Sequence, residues 1–252
     1  MRTIKNGNKF KGVSIGGQQI KGLYKNGEKF YEKHSYTPFA TPILDLDFQN
    51  NFIDKSPSGL TMVQGQGLPT FGLSGRKAGE YCANFNGSQS IKTTTNLPLN
   101  SDKVCIKFWM KTTQTGAAII TEMSQNFNYN NAFCITINES ANKIWLADRA
   151  SNYNIGISIA SVNTGSWIHV VMTIDRAQNG TSQNKIYVNG VLSYVQHGNF
   201  TTNNNSNFVN NILYIGQRGG NAYGYVGSLM KYQVFNKVPT DAQAMEMYQN
   251  DL

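Results

Sequence analysis

The sequence predicts an all-β protein, an antiparallel sandwich of the jelly-roll type preceded by a small N-terminal β-hairpin arm. Three observations lead to this prediction. Hydrophobic residues alternate with period two through much of the chain, as in strands that bury one face. The strand-like runs are short and are bounded by Asn, Gly, Ser and Thr clusters, a pattern typical of sandwiches and jelly rolls. A convincing helix signal is confined to the C-terminal segment.

Residues 1–36 are predicted to form an attachment arm of two hairpins. The sequence KNGNKF at 5–10 recurs as KNGEKF at 25–30. Asn-Gly between strand-like residues favours a type I′ turn, because both central positions need positive φ. We therefore expect turns at 6–7 and 26–27, separated by two glycines at 16–17. Isolated hairpins are marginally stable in water, so the arm should pack on the body or on a neighbouring subunit. A linker at 37–42 then leads into the body at 43–252.

Most of the net charge belongs to this arm. The whole chain carries +8, of which residues 1–33 carry +6 and residues 34–252 only +2. A basic arm can bind an acidic or polar protein partner, form a solvated face, or bind nucleic acid. Because the body is nearly neutral, we favour a protein partner and consider nucleic acid the weakest alternative.

The body reads as a series of strands that ends in one helix. ILDLDF places Leu44, Leu46 and Phe48 on one side and two aspartates on the other. VCIKFWMK at 104–111 and WIHVVMTID at 167–175 alternate in the same way. YVNG at 187–190 is a hairpin signal. Thr240 or Asp241 can cap a helix over AQAMEMYQ after a proline.

Six segments of the body resemble laminin-G-like jelly rolls of the concanavalin A-like lectin/glucanase superfamily. They occur in the order of that family, from residue 83 to residue 240: Ala83–Ile91, Phe108–Thr113, Trp167–Asp175, Lys185–Leu192, Leu213–Arg218 and Gly224–Thr240. The resemblance implies a concanavalin A-like sandwich of two curved antiparallel sheets over residues 43–252.

The acidic residues of that family's sites have no counterpart here. Many members carry G-x-I-D-E-V near the end, whereas this chain reads GSLMKY at 227–232, with Met230 and Lys231 in the acidic positions. Calcium needs six to eight oxygen ligands, and Asp54, Glu122 and Asp148 are scattered. The glucanase pattern E-x-D-x-E is also absent, although glycoside hydrolysis needs paired carboxylates. We therefore expect no metal, no cofactor and no enzymatic activity.

Three features bear on where the protein works. Its three cysteines, Cys82, Cys105 and Cys134, are widely spaced and fit neither a disulfide framework nor a zinc site, so we expect buried free thiols. No apolar run reaches the ~18–20 residues of a membrane helix. No apolar stretch follows the basic N-terminus, which predicts a protein without a secretory signal that is made in a cytoplasm.

Three Asn-rich loops, at residues 124–131, 148–154 and 217–225, are candidates for ligand binding, because saccharides are bound by aromatic faces beside planar hydrogen-bonding groups. The alternative is that these asparagines only satisfy turn geometry. AYGYVG, if extended, places Tyr223 and Tyr225 on one side, and the alternative is that both are buried against the sheet. The first-choice residues are Arg218, Asn221, Tyr223 and Tyr225, and the second-choice residues are Asn126, Tyr129, Arg149 and Tyr153.

The arm resembles virion structural proteins of tailed phages, in which short hairpins precede a laminin-G-like body. This resemblance implies a non-enzymatic virion protein, a head or tail fibre or decoration, that displays its jelly roll for adhesion to host-surface glycans. Other virion proteins would bind residues 1–36, the protein would be a homo-oligomer, and no membrane would be involved. The alternatives are a structural capsid or tail decoration without ligand, a secreted-type glycan-binding module, or an atypical glycosidase.

Deletion of residues 1–36 should leave a folded, soluble body, because the sandwich closes without the arm, and should abolish assembly with partner chains. Circular dichroism, thermal unfolding and sedimentation of the two forms measure this. A truncated protein that unfolds or aggregates would mean that the arm is part of the core.

Overall fold

Two eight-stranded antiparallel sheets form the body of the chain in the computed structural model. The structure describes residues 13–15, 18–20, 24–25, 28–29, 38–127, 131–138, 142–149, 153–178, 183–193, 195–197, 206–219 and 222–252. The all-β prediction and the concanavalin A-like jelly roll are confirmed. No helix in this described part is long and apolar enough to cross a membrane.

Two short strand pairs lie in the N-terminal arm. β1 (Val13–Ile15) pairs with β2 (Gln18–Ile20), and β3 (Tyr24–Lys25) pairs with β4 (Glu28–Lys29). The second pair flanks residues 26–27, where a turn is predicted. The first pair flanks residues 16–17, which were expected to separate the hairpins. The other predicted turn, at 6–7, lies outside the described residues.

The first sheet has the strand order β17-β16-β15-β10-β20-β8-β7, and β5 also pairs with β20. Its strands are β5 (Leu44–Leu46), β7 (Thr70–Gly72), β8 (Cys82–Asn86), β10 (Lys103–Lys111), β15 (Ile168–Asp175), β16 (Asn184–Val188), β17 (Val191–Leu192) and β20 (Val226–Phe235).

The second sheet has the order β18-β14-β13-β12-β11-β19-β9-β6. Its strands are β6 (Met62–Gln64), β9 (Ile91–Thr93), β11 (Ala118–Met123), β12 (Ala132–Asn138), β13 (Lys143–Arg149), β14 (Tyr153–Ser161), β18 (Val195–His197) and β19 (Leu213–Ile215). A single-turn 3-10 helix, Gln125–Phe127, follows β11.

The main core lies between the two sheets. It is formed by the hydrophobic side chains that alternate with polar ones in the sequence. Leu44, Leu46 and Phe48 are fully buried, as predicted. The Phe108 and Tyr232 rings stack at 5.9 Å. The Tyr232 hydroxyl donates to Thr121 Oγ1 at 3.0 Å, so a buried hydrogen bond joins β20 of the first sheet to β11 of the second.

One buried ion pair closes an end of the sandwich. Arg176 and Asp148 are both fully buried and form a bidentate pair, with Arg176 Nη2 at 2.5 Å from Asp148 Oδ1. Gln183 Nε2 donates to the same carboxylate at 2.9 Å. The Arg176 guanidinium also lies 3.7 Å from the centre of the Phe208 ring. Asp148, a scattered calcium candidate in the sequence, therefore holds loops together instead.

The C-terminal helix covers the outer face of the first sheet. Helix α1 (Asp241–Asp251) begins at Thr240 in a capping box with Gln243, so the predicted cap is confirmed. Its Ala244 and Met247 pack on Cys105, Val171, Tyr187 and Phe235, together with Phe39 and Ala40 from the predicted linker. β10 and β15 are consequently buried on both faces. Alternation alone had suggested one buried face for each strand.

Charged groups tie the last turn of α1 to the same face. Asp251 lies 2.9 Å from the buried Lys107 ammonium and 3.5 Å from His169 Nε2. Burial raises the pKa of the Asp251 carboxyl, but the contacts with His169 and Lys107 outweigh it and hold the pKa below its ordinary value. Burial lowers the pKa of His169 in turn.

The β16–β17 hairpin and the three thiols match the sequence. Asn189 and Gly190 both have positive φ, at 51° and 78°, as a type I′ turn requires. A Cβ on residue 190 would lie 2.8 Å from Met245 Sδ, so glycine also allows the hairpin to approach α1. Cys82, Cys105 and Cys134 are buried and free.

Asp251→Asn should destabilise the protein by about 3 kcal/mol near neutral pH, because it leaves the Lys107 ammonium buried without a counter-charge. Because the folded-state pKa of Asp251 is lowered, its contribution is fully present above the unfolded value near 3.8 and is lost as the pH falls below it. The cost of the variant should therefore shrink in acid. Unfolding in guanidinium chloride at acid pH and at neutral pH measures the free-energy cost of the variant.

Lys185→Gln is the matched control, since its pair with Asp241 is exposed and should contribute less than about 0.5 kcal/mol. A cost of Asp251→Asn that is the same in acid and at neutral pH would assign the effect to packing rather than to charge.

Candidate functional site

A buried carboxylate on the second sheet brings two of the predicted loops together. Glu122, on β11, is fully buried. Its Oε1 accepts a hydrogen bond from the Asn126 amide at 3.0 Å and another from the Gly219 amide at 2.7 Å. A carboxylate removed from water has to be satisfied by such donors. The loop after β11 and the loop after β19 are therefore drawn to one point.

Arg218 completes the surroundings of Glu122. Its Nε lies 3.4 Å from Glu122 Oε2, and its guanidinium lies 5.0 Å from the centre of the Tyr223 ring. Burial raises the pKa of the Glu122 carboxyl, and the Gly219 amide and the Arg218 charge oppose that rise. The carboxylate thus fixes the direction of Arg218, and Arg218 in turn lies beside Tyr223.

The third predicted loop joins the same region through Arg149. Its Nη1 donates to the backbone carbonyl of Phe127, and its guanidinium lies 5.9 Å from the centre of the Phe127 ring. Phe127 ends the 3-10 helix that begins beside Glu122. Loops that are far apart in sequence therefore meet on one side of the second sheet.

These residues share the outer face of the second sheet, which we define by the half-buried side chains that alternate with its core residues. In β13, Ile144, Leu146 and Asp148 are fully buried, and their neighbours point the other way. Across the sheet, Glu122 is the cross-strand partner of Tyr214 and Cys134, and such partners share a face. The half-buried members of the outer face are Lys92, Thr136, Lys143, Trp145, Arg149 and Tyr214.

Trp145 and Tyr214 add aromatic surface that the loop-based reasoning missed. Trp145 lies in the outer row of β13, four residues before Arg149. Lys92 Nζ lies 6.0 Å from the centre of the Tyr214 ring. A Cβ on residue 219 would lie 2.9 Å from the same ring, so glycine allows this close approach. The alternation in KIWLADR could have placed Trp145 opposite the core residues.

The predicted binding residues differ in how exposed their side chains are and in whether the structure describes them. Tyr223 is 52% exposed with φ 55°, and Asn126 is half-buried with φ 57°, so both remain available. Asn221 and Tyr129 lie outside the described residues. Tyr153 is the first residue of β14 and pairs with Arg149, and its side chain is not among those that the structure describes.

Tyr225 requires a correction. It is fully buried, its hydroxyl donates to the carbonyls of Lys111 and Ser228, both at 3.2 Å, and its ring packs at 6.0 Å from Phe85. The prediction that Tyr223 and Tyr225 share an exposed side is wrong, because the chain between them is not a regular strand. Tyr225 supports the fold.

Asp54, considered as a calcium ligand from the sequence alone, has a structural role outside this face. Asp54 accepts hydrogen bonds from Asp45 N, Ser56 and Leu60 N and so holds the loop after β5. Among the described residues, no three His, Cys, Asp or Glu side chains lie close enough together to hold a metal ion. The absence of a metal stays a prediction.

A groove lies beside α1 on the first sheet. This groove of about 280 Å³ is lined by Thr173, Asp175, Gln178, Lys185, Val238 and Pro239. No aromatic ring occurs in this described lining, and its two charged side chains pair with Lys103 and Asp241. The outer face of the second sheet is therefore the better candidate for binding a ligand.

The sequence model of one family, described as the concanavalin A-like lectin/glucanases superfamily, matches residues 85–245. No curated protein sequence is a significant match. Among solved structures, domain 4 of a GH43 extracellular arabinanase from Geobacillus stearothermophilus, in complex with arabinotriose, is similar with a TM-score of 0.62 and 17% identity, over 83% of this chain and 98% of that domain.

Receptor-binding domains of botulinum neurotoxins are similar to the same extent. The type G domain has a TM-score of 0.60 and 19% identity, over 84% of this chain and 52% of that one. A structure of botulinum neurotoxin type C has a TM-score of 0.58 and 15% identity, over 83% of this chain and 51% of that one. Cell entry of that toxin depends on interaction with two ganglioside molecules. This chain thus spans about half the length of these toxin domains.

Replacing the two tyrosines by alanine separates core from surface. Tyr225→Ala should destabilise the protein by about 3–5 kcal/mol, as for other large aromatics removed from a core. Tyr223→Ala should change stability by less than about 0.5 kcal/mol, since its ring is exposed. Chemical unfolding of both variants measures this difference. Equal costs would contradict the assignment.

Proposed function

The chain belongs to the concanavalin A-like lectin/glucanase superfamily, and from that membership we propose that it is a carbohydrate-binding protein whose saccharide lies on the outer face of the second sheet. The observation that carries this proposal is the convergence of three loops there. They bring Tyr223, Arg218, Arg149 and the Asn126 turn to one side of the second sheet, and the outer rows of that sheet also carry Trp145 and Tyr214.

The chemistry of the face suits a sugar. Aromatic rings offer an apolar surface with a defined orientation, and guanidinium and amide groups offer directional hydrogen bonds to hydroxyls. Arg218 and Arg149 are already held by Glu122, Tyr223 and the Phe127 carbonyl. Groups that are positioned before binding lose less conformational entropy when the ligand arrives.

Helix α1 covers part of the opposite side of the sandwich. Helix α1 packs on the outer face of the first sheet and buries Tyr187 and Val171 there. The complex of the similar arabinanase domain with arabinotriose supports a saccharide as ligand of this fold, and the proposal applies that chemistry to this chain.

We also propose that the protein is not an enzyme. Glycoside hydrolysis needs two carboxyl groups about 5–10 Å apart. Of the acidic residues on described strands of the second sheet, Asp148 points inward and pairs with Arg176, and Glu122 is engaged by two amides and Arg218. Neither is placed to protonate a leaving group or to activate water.

The biological setting that we propose is a phage virion, with residues 1–36 bound to other virion proteins and the jelly roll directed to glycans on a bacterial host. The +6 charge of residues 1–33 and the two strand pairs of the arm support a docking segment. A structural decoration without ligand is the alternative, and it predicts no saccharide binding at all.

Binding of the full chain to a glycan array should identify a saccharide. Trp145→Ala and Tyr223→Ala should each weaken its binding at least about tenfold, or about 1.4 kcal/mol. Isothermal titration with the identified saccharide measures the loss. Tyr81→Ala, a half-buried tyrosine before β8 on the first sheet, is the matched control and should leave affinity unchanged.

An array without any bound saccharide would favour the structural alternative. Binding that survives both Trp145→Ala and Tyr223→Ala would place the saccharide elsewhere on the molecule.

A further inference from the structure

Among the residues that the structure describes, the outer face of the second sheet carries an excess of positive charge. Four cationic side chains belong to it, Lys92, Lys143, Arg149 and Arg218. Its acidic side chain among the described residues is Glu122, which is fully buried and covered by the loops that it holds. A ligand approaching from solvent therefore meets the cations and not the carboxylate.

The pairing of these cations differs from that on the first sheet. There, Lys103, Lys107 and Lys185 each lie within 3 Å of an aspartate and Lys231 lies 4.0 Å from Glu80 and Asp251, whereas Lys111 has no ion pair with any described residue. On the outer face of the second sheet, Lys92, Lys143 and Arg149 form no ion pair with any described residue. The body outside residues 1–33 is nearly neutral, so this local excess is not a consequence of a basic composition.

From this unpaired charge we infer that the saccharide is acidic, and that a sugar-borne carboxylate binds Arg149 and its neighbours. The inference rests on the proposed saccharide site and specifies its ligand class. Arg149 is the leading contact, because one nitrogen of its guanidinium donates to the Phe127 carbonyl and the other guanidinium donors form no hydrogen bond with a described residue. A planar guanidinium matches a carboxylate bidentately.

The spread of the charges indicates an oligosaccharide instead of a single sugar. Lys143 and Arg149 stand at opposite ends of β13, which at about 3.4 Å per residue separates their Cα atoms by about 20 Å. Trp145 lies between them on the same face. Carboxylates repeated along a chain can therefore meet cations at both ends while a ring between them packs on the indole.

The test compares matched acidic and neutral probes on the full chain by isothermal titration. The pairs are trigalacturonate with its carboxyl-reduced form, and sialyllactose with lactose, which separate the two common sources of a sugar carboxylate. The acidic member of at least one pair should bind at least tenfold more tightly than its neutral partner. Added salt should reduce that preference, because exposed charges are screened.

Variants assign the preference to the face. Lys143→Gln and Arg149→Gln should each reduce acidic-probe affinity about fivefold or more, and Arg149→Lys should restore part of it. Lys237→Gln, which removes an exposed charge between β20 and α1, should have no effect. Thermal unfolding of every variant excludes a folding defect as the cause.

The outcomes separate this inference from the proposed function. Equal binding of acidic and neutral probes, lost in Trp145→Ala, would overturn the acidic ligand and keep the saccharide site. A preference for acidic probes that persists in both charge variants would also overturn the inference. Binding of neither class, here and on the array, would overturn the proposed function together with it.

Discussion

The architecture depends on one constraint, that a charge removed from water must find a partner. Only 14% of the residues are charged, yet the few that are buried fix the positions of the loops and of the helix outside the two sheets. Asp148 and Arg176 close one end of the sandwich, and Asp251 ties α1 to Lys107. Glu122 brings together the loops of the candidate site. In each case a carboxylate on a strand or helix selects the position of a distant segment.

The two outer faces of the sandwich are unlike each other. The helix takes the first sheet, where an apolar row of Cys105, Val171 and Phe235 receives Ala244 and Met247. No described helix covers the outer face of the second sheet, and its rows mix aromatic, cationic and small residues. A surface with rings, fixed guanidinium groups and lysines that pair with no described acidic residue is suited to a polar, extended ligand.

Local patterns predicted well wherever one residue decides the geometry. Asn189-Gly190 adopts the expected turn because few other residues accept two positive φ values. Thr240 begins α1 because its side chain satisfies a backbone amide that the helix leaves free. The loop tyrosines were harder to assign, because Tyr223 and Tyr225 are two positions apart and yet one is exposed and the other buried. Their backbone bends between the bridge at Gly224 and the start of β20.

By itself, the sequence determined the all-β class, the hairpin turn at Asn189-Gly190 and the cap of the helix. These follow from period-two burial and from turn and capping chemistry, which act over a few residues. Only the tertiary structure decided that Glu122 joins two loops, that Trp145 shares their face and that β10 is buried on both sides. Those results depend on which strands become neighbours, and residues far apart in the chain meet only after the sheets have paired and folded over one another.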